Sequence, residues 1–285
     1  MATRRDRPGF RGMIGIILQR VGVRGCGLTD RLLDGIAVEC SHHKLGQVLG
    51  FYEEPNECRK LINSAHQIMV DGFIIGSRFC DALIPDMLGL QRSGTPVVTV
   101  YSHPIHRSLV NVGIDQVGIG RMATEHLIEQ GCRRIVHLRA GESRLVGYRQ
   151  ALREARIGVQ DRWIHWPGFV GGQWLLSGGG EAGIGHFLEA GIEFDGVFAS
   201  SDPQGMGAIR ALMKAGRRVP EDVKVVGVDN SPLCDSGFIT LTSISDDARL
   251  RGRLAVRALL DCCRGRSVKS LALEPVLVAR ESTRR

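Results

Sequence analysis

The chain has 285 residues, 43% hydrophobic and 24% charged, with 5% aromatics and 37 glycines. This length suits two domains of ordinary size, and the balance is that of a globular chain with no signature of disorder. The formal net charge of +7 lies mostly at the ends, three units in residues 1–12 and two in 280–285, so the body offers no obvious DNA-binding face.

Short β-branched runs alternate with amphipathic helical runs from the start, the pattern of βαβ units around a parallel sheet. Strands are expected at 14–18, 47–52, 72–75 and 96–101, with helices at 29–41, 55–69 and 82–93 between them. After a strand at 110–114 the series restarts. Helices at 116–130, 144–156, 180–190 and 204–215 alternate with strands at 134–138, 162–166, 196–200 and 223–228. A strand at 241–245, a helix at 247–264 and a strand at 275–279 close the chain. The fold class is therefore α/β, with two doubly wound parallel-sheet lobes and a ligand cleft expected between them. The arrangement expected is a basic arm at 1–12, a first lobe of 13–112 plus 247–267, and a second of 113–246 plus 268–285. The helix after Asp247 has no sheet of its own, and a return crossing to the first lobe would supply one.

The most telling stretch runs from Val219-Pro220 to Asp229-Asn230. Val223, Val225, Val226 and Val228 form an apolar run too short for a helix and rich in β-branched residues, as a strand buried on both faces requires. It ends in a carboxylate and an amide, at the edge where open α/β sheets bind ligands.

No apolar run is long enough to span a bilayer, and the basic start lacks the apolar core of a secretory signal. The eight cysteines are scattered without a C-x-x-C pair, which reads as reduced thiols in a cytoplasmic protein. No cofactor and no metal is expected. The glycines at 22, 25 and 27 are in the wrong order for dinucleotide binding, and His42-His43 has no ligand partner at metal spacing. No G-x-S-x-G or H-E-x-x-H occurs, and no pair of titratable groups is singled out for acid–base work.

Four segments carry a resemblance. They are Gly94-Thr95-Pro96-Val97-Val98 with Asp115 and Gly118; Arg144-Leu145-Val146-Gly147-Tyr148; Asp195 through Asp202 with Gly207-Ala208; and Val219 through Asn230 with Leu241-Thr242-Ser243-Ile244 and Arg280-Glu281-Ser282-Thr283. In this order and spacing the chain resembles the effector-binding core of the lactose-repressor family, bacterial transcription regulators related to periplasmic sugar-binding proteins, over about residues 13–285. That family normally begins with a helix-turn-helix headpiece that reads DNA in the major groove. Only twelve residues precede the first strand here, so the headpiece is expected to be absent from this chain, by truncation or by nature.

The resemblance implies that Arg144 contacts the effector, where a guanidinium could fork onto two hydroxyls or a carboxylate. It implies the same for Asp229, which could accept two hydroxyl protons, and for Trp174 as a stacking ring. Trp163 and Trp166 are nearby alternatives for that ring, read more readily as core. Ser201 stands where the family usually has Asn, and Asp202 is read as the N-cap of the helix near Gln204. Gln19, Arg20 and Tyr101 follow strands of the first lobe and face the expected cleft, though their identities depart from common family choices. Asp246, at the crossing between lobes, completes the set. The expected function is ligand sensing, not catalysis. A small polar effector, a sugar or derivative, closes the lobes and couples to a homodimer, and to operator DNA if a headpiece is present. The alternative is a solute-binding protein of an uptake system.

Overall fold

The computed structural model describes residues 10–19, 28–67, 70–76, 80–139, 141–166 and 177–284. The first series comprises β1 (Met13–Gln19), α1 (Leu28–His42), β2 (Gly46–Tyr52), α2 (Pro55–Gln67), β3 (Gly72–Gly76), α3 (Cys80–Arg92), β4 (Val97–Thr99) and β5 (Val110–Ile114). The second comprises α4 (Gln116–Glu129), β6 (Ile135–Leu138), α5 (Glu142–Glu154), β7 (Ile164–His165), α6 (Ser177–Glu189), β8 (Gly196–Ala199), α7 (Asp202–Lys214), β9 (Lys224–Val228) and β10 (Thr242–Ser245). The chain ends with α8 (Ala248–Cys263), β11 (Leu271–Leu273) and β12 (Val276–Val278).

These elements fall into two units. One holds 29–114 and 248–273 with the N-terminal strand, and the other holds 115–247 and 274–285. The first unit has a six-stranded sheet in the order β11-β5-β4-β3-β1-β2, parallel throughout. The second has the order β12-β10-β9-β8-β6-β7, parallel except for antiparallel β12. Within each, the first five strands follow the doubly wound order 2-1-3-4-5, so the connections reverse direction beside β1 in one sheet and beside β6 in the other.

The central strands are buried on both faces, which is why they read as continuous apolar runs. Ile14, Ile16, Phe73, Ile74 and Ile75 in one sheet, and Val197, Phe198, Val225 and Val226 in the other, are sealed from solvent. β2 differs. As an edge strand it exposes Leu49 and Phe51 and buries only Gly50 and Tyr52 fully.

α8 packs on β3, β4 and β5 of the first sheet, giving the unpaired helix of the sequence its apolar partner. β11 was not expected. It pairs with β5, so residues 271–273, expected with the second lobe, extend the first sheet instead. The short strand expected at 162–166 is mostly a 3-10 turn, Asp161–Trp163, followed by the two residues of β7. Among the described residues, no helix is long and apolar enough to cross a membrane. The cysteines described there, Cys40, Cys58, Cys132, Cys234, Cys262 and Cys263, are unbridged.

Three helix pairs meet backbone to backbone through reciprocal glycines. A Cβ on Gly120 would fall on the Arg144 carbonyl oxygen, and one on Gly147 on that of Val117, so α4 and α5 leave no room for a side chain. Gly180 and Gly207 do the same for α6 and α7, and Gly35 and Gly252 for α1 and α8. The α1–α8 seam also carries a buried carboxylate. Glu39, 1% exposed, accepts from Arg257 Nε at 2.6 Å and from Arg253 Nε at 2.9 Å, with His43 Nε2 at 3.3 Å. Hydrogen bonding from Arg257 outweighs the opposing effect of burial and holds its pKa down at about 2.

Two stability measurements follow from these seams. Gly147→Ala forces backbone apart and should cost about 3 kcal/mol, whereas Gly185→Ala on α6, with open space around its Cβ, should gain about 0.5–1 kcal/mol. Equal melting shifts for the two would refute the seam. Because Glu39 titrates lower folded than unfolded, the unfolded chain takes the proton first as pH falls. The stability it confers is complete above about pH 4.5, and about 3 kcal/mol of it should drain away by pH 2. Urea titrations of wild type and Glu39→Gln over that range should converge, and parallel curves would contradict the assignment.

Candidate effector site at the carboxyl ends of the second sheet

In the second unit the carboxyl ends of β6, β8, β9 and β10 bring their following residues to one edge. These are Arg139, Ser200 with Ser201, Asp229 with Asn230, and Asp246. The organising group is Asp202, fully buried in the first turn of α7. Its Oδ2 accepts the Ser231 N–H at 2.6 Å and its Oδ1 accepts the Ser243 hydroxyl at 2.6 Å. The same Ser243 oxygen accepts the Asn230 N–H at 2.9 Å. One carboxylate thus ties the tips of β8, β9 and β10 together. Burial raises its pKa, opposed by the hydrogen bonds from Ser231 and Ser243.

The sequence reading of Asp202 as the cap of α7 is corrected here. Ser201 is the N-cap, its side chain accepting from the Gln204 N–H at 3.3 Å, because the helix begins two residues earlier than expected. Gln204 in turn accepts the Ser200 N–H at 3.0 Å through Oε1. Ser201 is almost fully buried.

Asp229 and Asn230 both sit at positive φ, +103° and +51°. Side-chain-bearing residues pay for that conformation, and it persists only where the surroundings enforce it. The Asp229 N–H donates to the Ile244 carbonyl at 2.9 Å, and Arg280 Nη2 donates to Asn230 Oδ1 at 2.9 Å. Arg280 is itself anchored on Asp235 and on the Leu241 carbonyl. The tip therefore uses its amide for support, while Asp229 is 95% buried at the strand end. Asp246 follows β10 and is also buried.

Arg144 lies in the first turn of α5, half-buried, two residues inside a helix that starts earlier than the sequence suggested. Its Nε donates to Gln116 Oε1 at 2.6 Å and its Nη1 to the Ser200 carbonyl. Those bonds fix the guanidinium between α4 and the tip of β8. Behind it His137 stacks on Phe198, with ring centres 4.3 Å apart, and burial pushes its pKa down to about 3, so the imidazole stays neutral.

Two expected residues belong to the first unit. Gln19 ends β1, half-buried, its Nε2 3.4 Å from the Glu53 carbonyl. Tyr101 lies two residues beyond β4 and is buried. The Asn111 side chain latches its backbone, accepting the Tyr101 N–H at 2.9 Å and donating to its carbonyl at 3.3 Å. Arg20 and Trp174 lie outside the described residues. Of the alternative tryptophans, Trp163 is core, but Trp166 is not: it is 46% exposed, with the Arg139 guanidinium above its ring.

Gln116, Ser243 and Arg280 were not singled out as site residues in the sequence because each acts through a partner distant in the chain. Asn111 left a signal, a polar side chain inside the otherwise apolar Val110-Asn111-Val112 strand. The Asp202 knot predicts a stability effect. Asp202→Asn keeps the shape but turns one acceptor into a donor facing a donor, which should cost about 1–3 kcal/mol in urea denaturation. An unchanged midpoint would show that the knot carries no weight.

Residues 124–283 match the family described as a periplasmic binding protein-like domain. The HTH-type transcriptional regulator CelR of Thermobifida fusca is 36% identical over 224 residues, 75% of this chain and 63% of that protein. The HTH-type transcriptional repressor CytR of Escherichia coli K12 is 30% identical over 266 residues, 90% of this chain and 75% of that one. Among solved structures, a transcriptional regulator CelR–cellobiose complex matches with TM-score 0.83 and 30% identity, over 95% of this chain and 84% of that one. A lac repressor dimer bound to operator and the anti-inducer ONPF matches with TM-score 0.81 at 21% identity, over 95% and 81% of the two chains, a likeness of fold alone. The chain spans a little under two thirds of the CelR sequence. With more than half its length inside the domain family and CytR matched over three quarters of its own length, the chain belongs to the periplasmic-binding-protein-like family, among the lactose-repressor-type transcriptional regulators.

Proposed function

We propose that this chain is the effector-sensing core of a lactose-repressor-type regulator, and that its ligand is a sugar or sugar derivative. The observation that carries the reading is the clustering, at one sheet edge, of a braced guanidinium (Arg144) and two buried carboxylates (Asp229 and Asp246). A guanidinium donates and a carboxylate accepts, so together they suit a molecule whose hydroxyls do both. A relative of known structure is described in complex with cellobiose, which favours a sugar. Gln19 and Tyr101, with Arg20, Trp174 and Ser201, remain candidate contacts under this reading.

Sensing requires that the effector bind one conformation better than another, since equal affinity shifts nothing. In the intact regulator that difference would be passed to a homodimer and, where a headpiece is present, to operator affinity in the cytoplasm.

Calorimetry of the chain against mono- and disaccharides and nucleosides should find at least one ligand with micromolar to millimolar affinity. Arg144→Ala and Asp229→Asn should each weaken it about 10–100-fold, the loss of a charge-assisted hydrogen bond. An absence of binding across the panel at millimolar concentration would sink the proposal.

A further inference from the structure

Arg139 follows β6 directly, at the place where the strand order of the second sheet reverses. Its guanidinium carbon stands 5.0 Å from the centre of the Trp166 ring, and its Nη2 meets the Glu142 carboxylate. Its Nε is buried and has no hydrogen-bond partner among the described residues. Nε–H and Nη2–H share one edge of the planar fork, so the edge that Glu142 engages is only half used.

Two further features mark this corner. α5, a helix of 13 residues, starts after Gly141, which supplies no side-chain cap, so its first N–H groups add the positive end of the helix dipole. Trp166 is 46% exposed at the end of an edge strand, where a ring that size is better used as a platform than as core. Glu142 is the one acidic group in the first turn of α5, and its side chain is 73% exposed. Ion pairs as exposed as that contribute little and are readily exchanged for another anion.

We propose that Arg139, set over the Trp166 ring, is a receptor for the carboxylate of an acidic sugar, and that Glu142 occupies its fork when no ligand is bound. This rests on the reading above that the carboxyl ends of the second sheet hold the effector. A carboxylate lying along the Nε–Nη2 edge takes two parallel hydrogen bonds and pairs the Nε that Glu142 leaves unmet. A phosphate ester would bring the same charge. The carboxylate is the choice because the group already seated on the fork is one.

The test compares each sugar acid with its neutral counterpart by calorimetry on the full chain: glucuronate with glucose, and cellobionate with cellobiose, with glucose 6-phosphate as a third arm. One acid should bind about tenfold or more tighter than its neutral partner. In Arg139→Gln that preference ratio should fall toward one, with the melting temperature confirming that the variant folds. Glu142→Gln, which removes the internal competitor, should move the ratio the other way and raise acid affinity several-fold. A structural cluster alone would change melting without changing the ratio. Neutral sugars binding as tightly as the acids would overturn this proposal and leave the sensing reading standing. Preference for the phosphate over both acids would overturn the carboxylate assignment. No effect of Glu142→Gln would remove its role as occupant, and failure of every sugar to bind would overturn both readings together.

Discussion

The second unit depends on a single buried carboxylate. Asp202 sits where three parallel strands end, and parallel strands give their tips no hydrogen-bonded hairpin to fix them. Its two oxygens take one donor from the loop after β9 and one from β10, and Ser243 passes the constraint on to Asn230. Burying a charged group is costly unless its partners are in place, so the arrangement is close to all-or-none. The positive φ at Asp229 and Asn230 is tolerable because the loop has nowhere else to go.

Around that knot the polar groups divide by task. Ser201, Gln204, Ser243, Asn230 and Arg280 spend their hydrogen bonds on other parts of the protein, and so stiffen the edge. Arg144 and Arg139 sit toward the side where the strands open, one braced by Gln116 and the Ser200 carbonyl, the other by an aromatic face and an exposed acid. The terminal Glu281-Ser282-Thr283 stretch belongs to the stiffening group. Ser282 bridges Val225 and Thr242, and Thr283 joins Thr242 to His126.

Much of the architecture was legible because strands buried on both faces leave a plain trace. Runs such as Val225 to Val228 and Gly72 to Ile75 have no polar residue to disguise them. β11 was illegible for the opposite reason: Leu271-Ala272-Leu273 is short and largely exposed, with the weak pattern of an edge. The site was half legible. Strand-tip positions such as Asp229 follow from the end of an apolar run. Whether a polar residue there faces a ligand or a neighbouring backbone depends on helix starts a residue or two away. That is why the cap of α7 proved to be Ser201 and not Asp202. Trp166 was misassigned because ring size argues for burial, while its place at the end of an edge strand argues against it.

The glycine seam between α4 and α5 also bears on how this protein could be altered. Gln116 rides on one helix and Arg144 on the other, so the spacing of that pair is set by two backbones in direct contact and not by adjustable side chains. A methyl group inserted at the seam would slide one helix along the other and spoil the aim of the guanidinium from a distance, with the lining of the site untouched in sequence. Substitutions aimed at this strand edge therefore have freedom in the loops that end the strands and very little in the crossing beneath them.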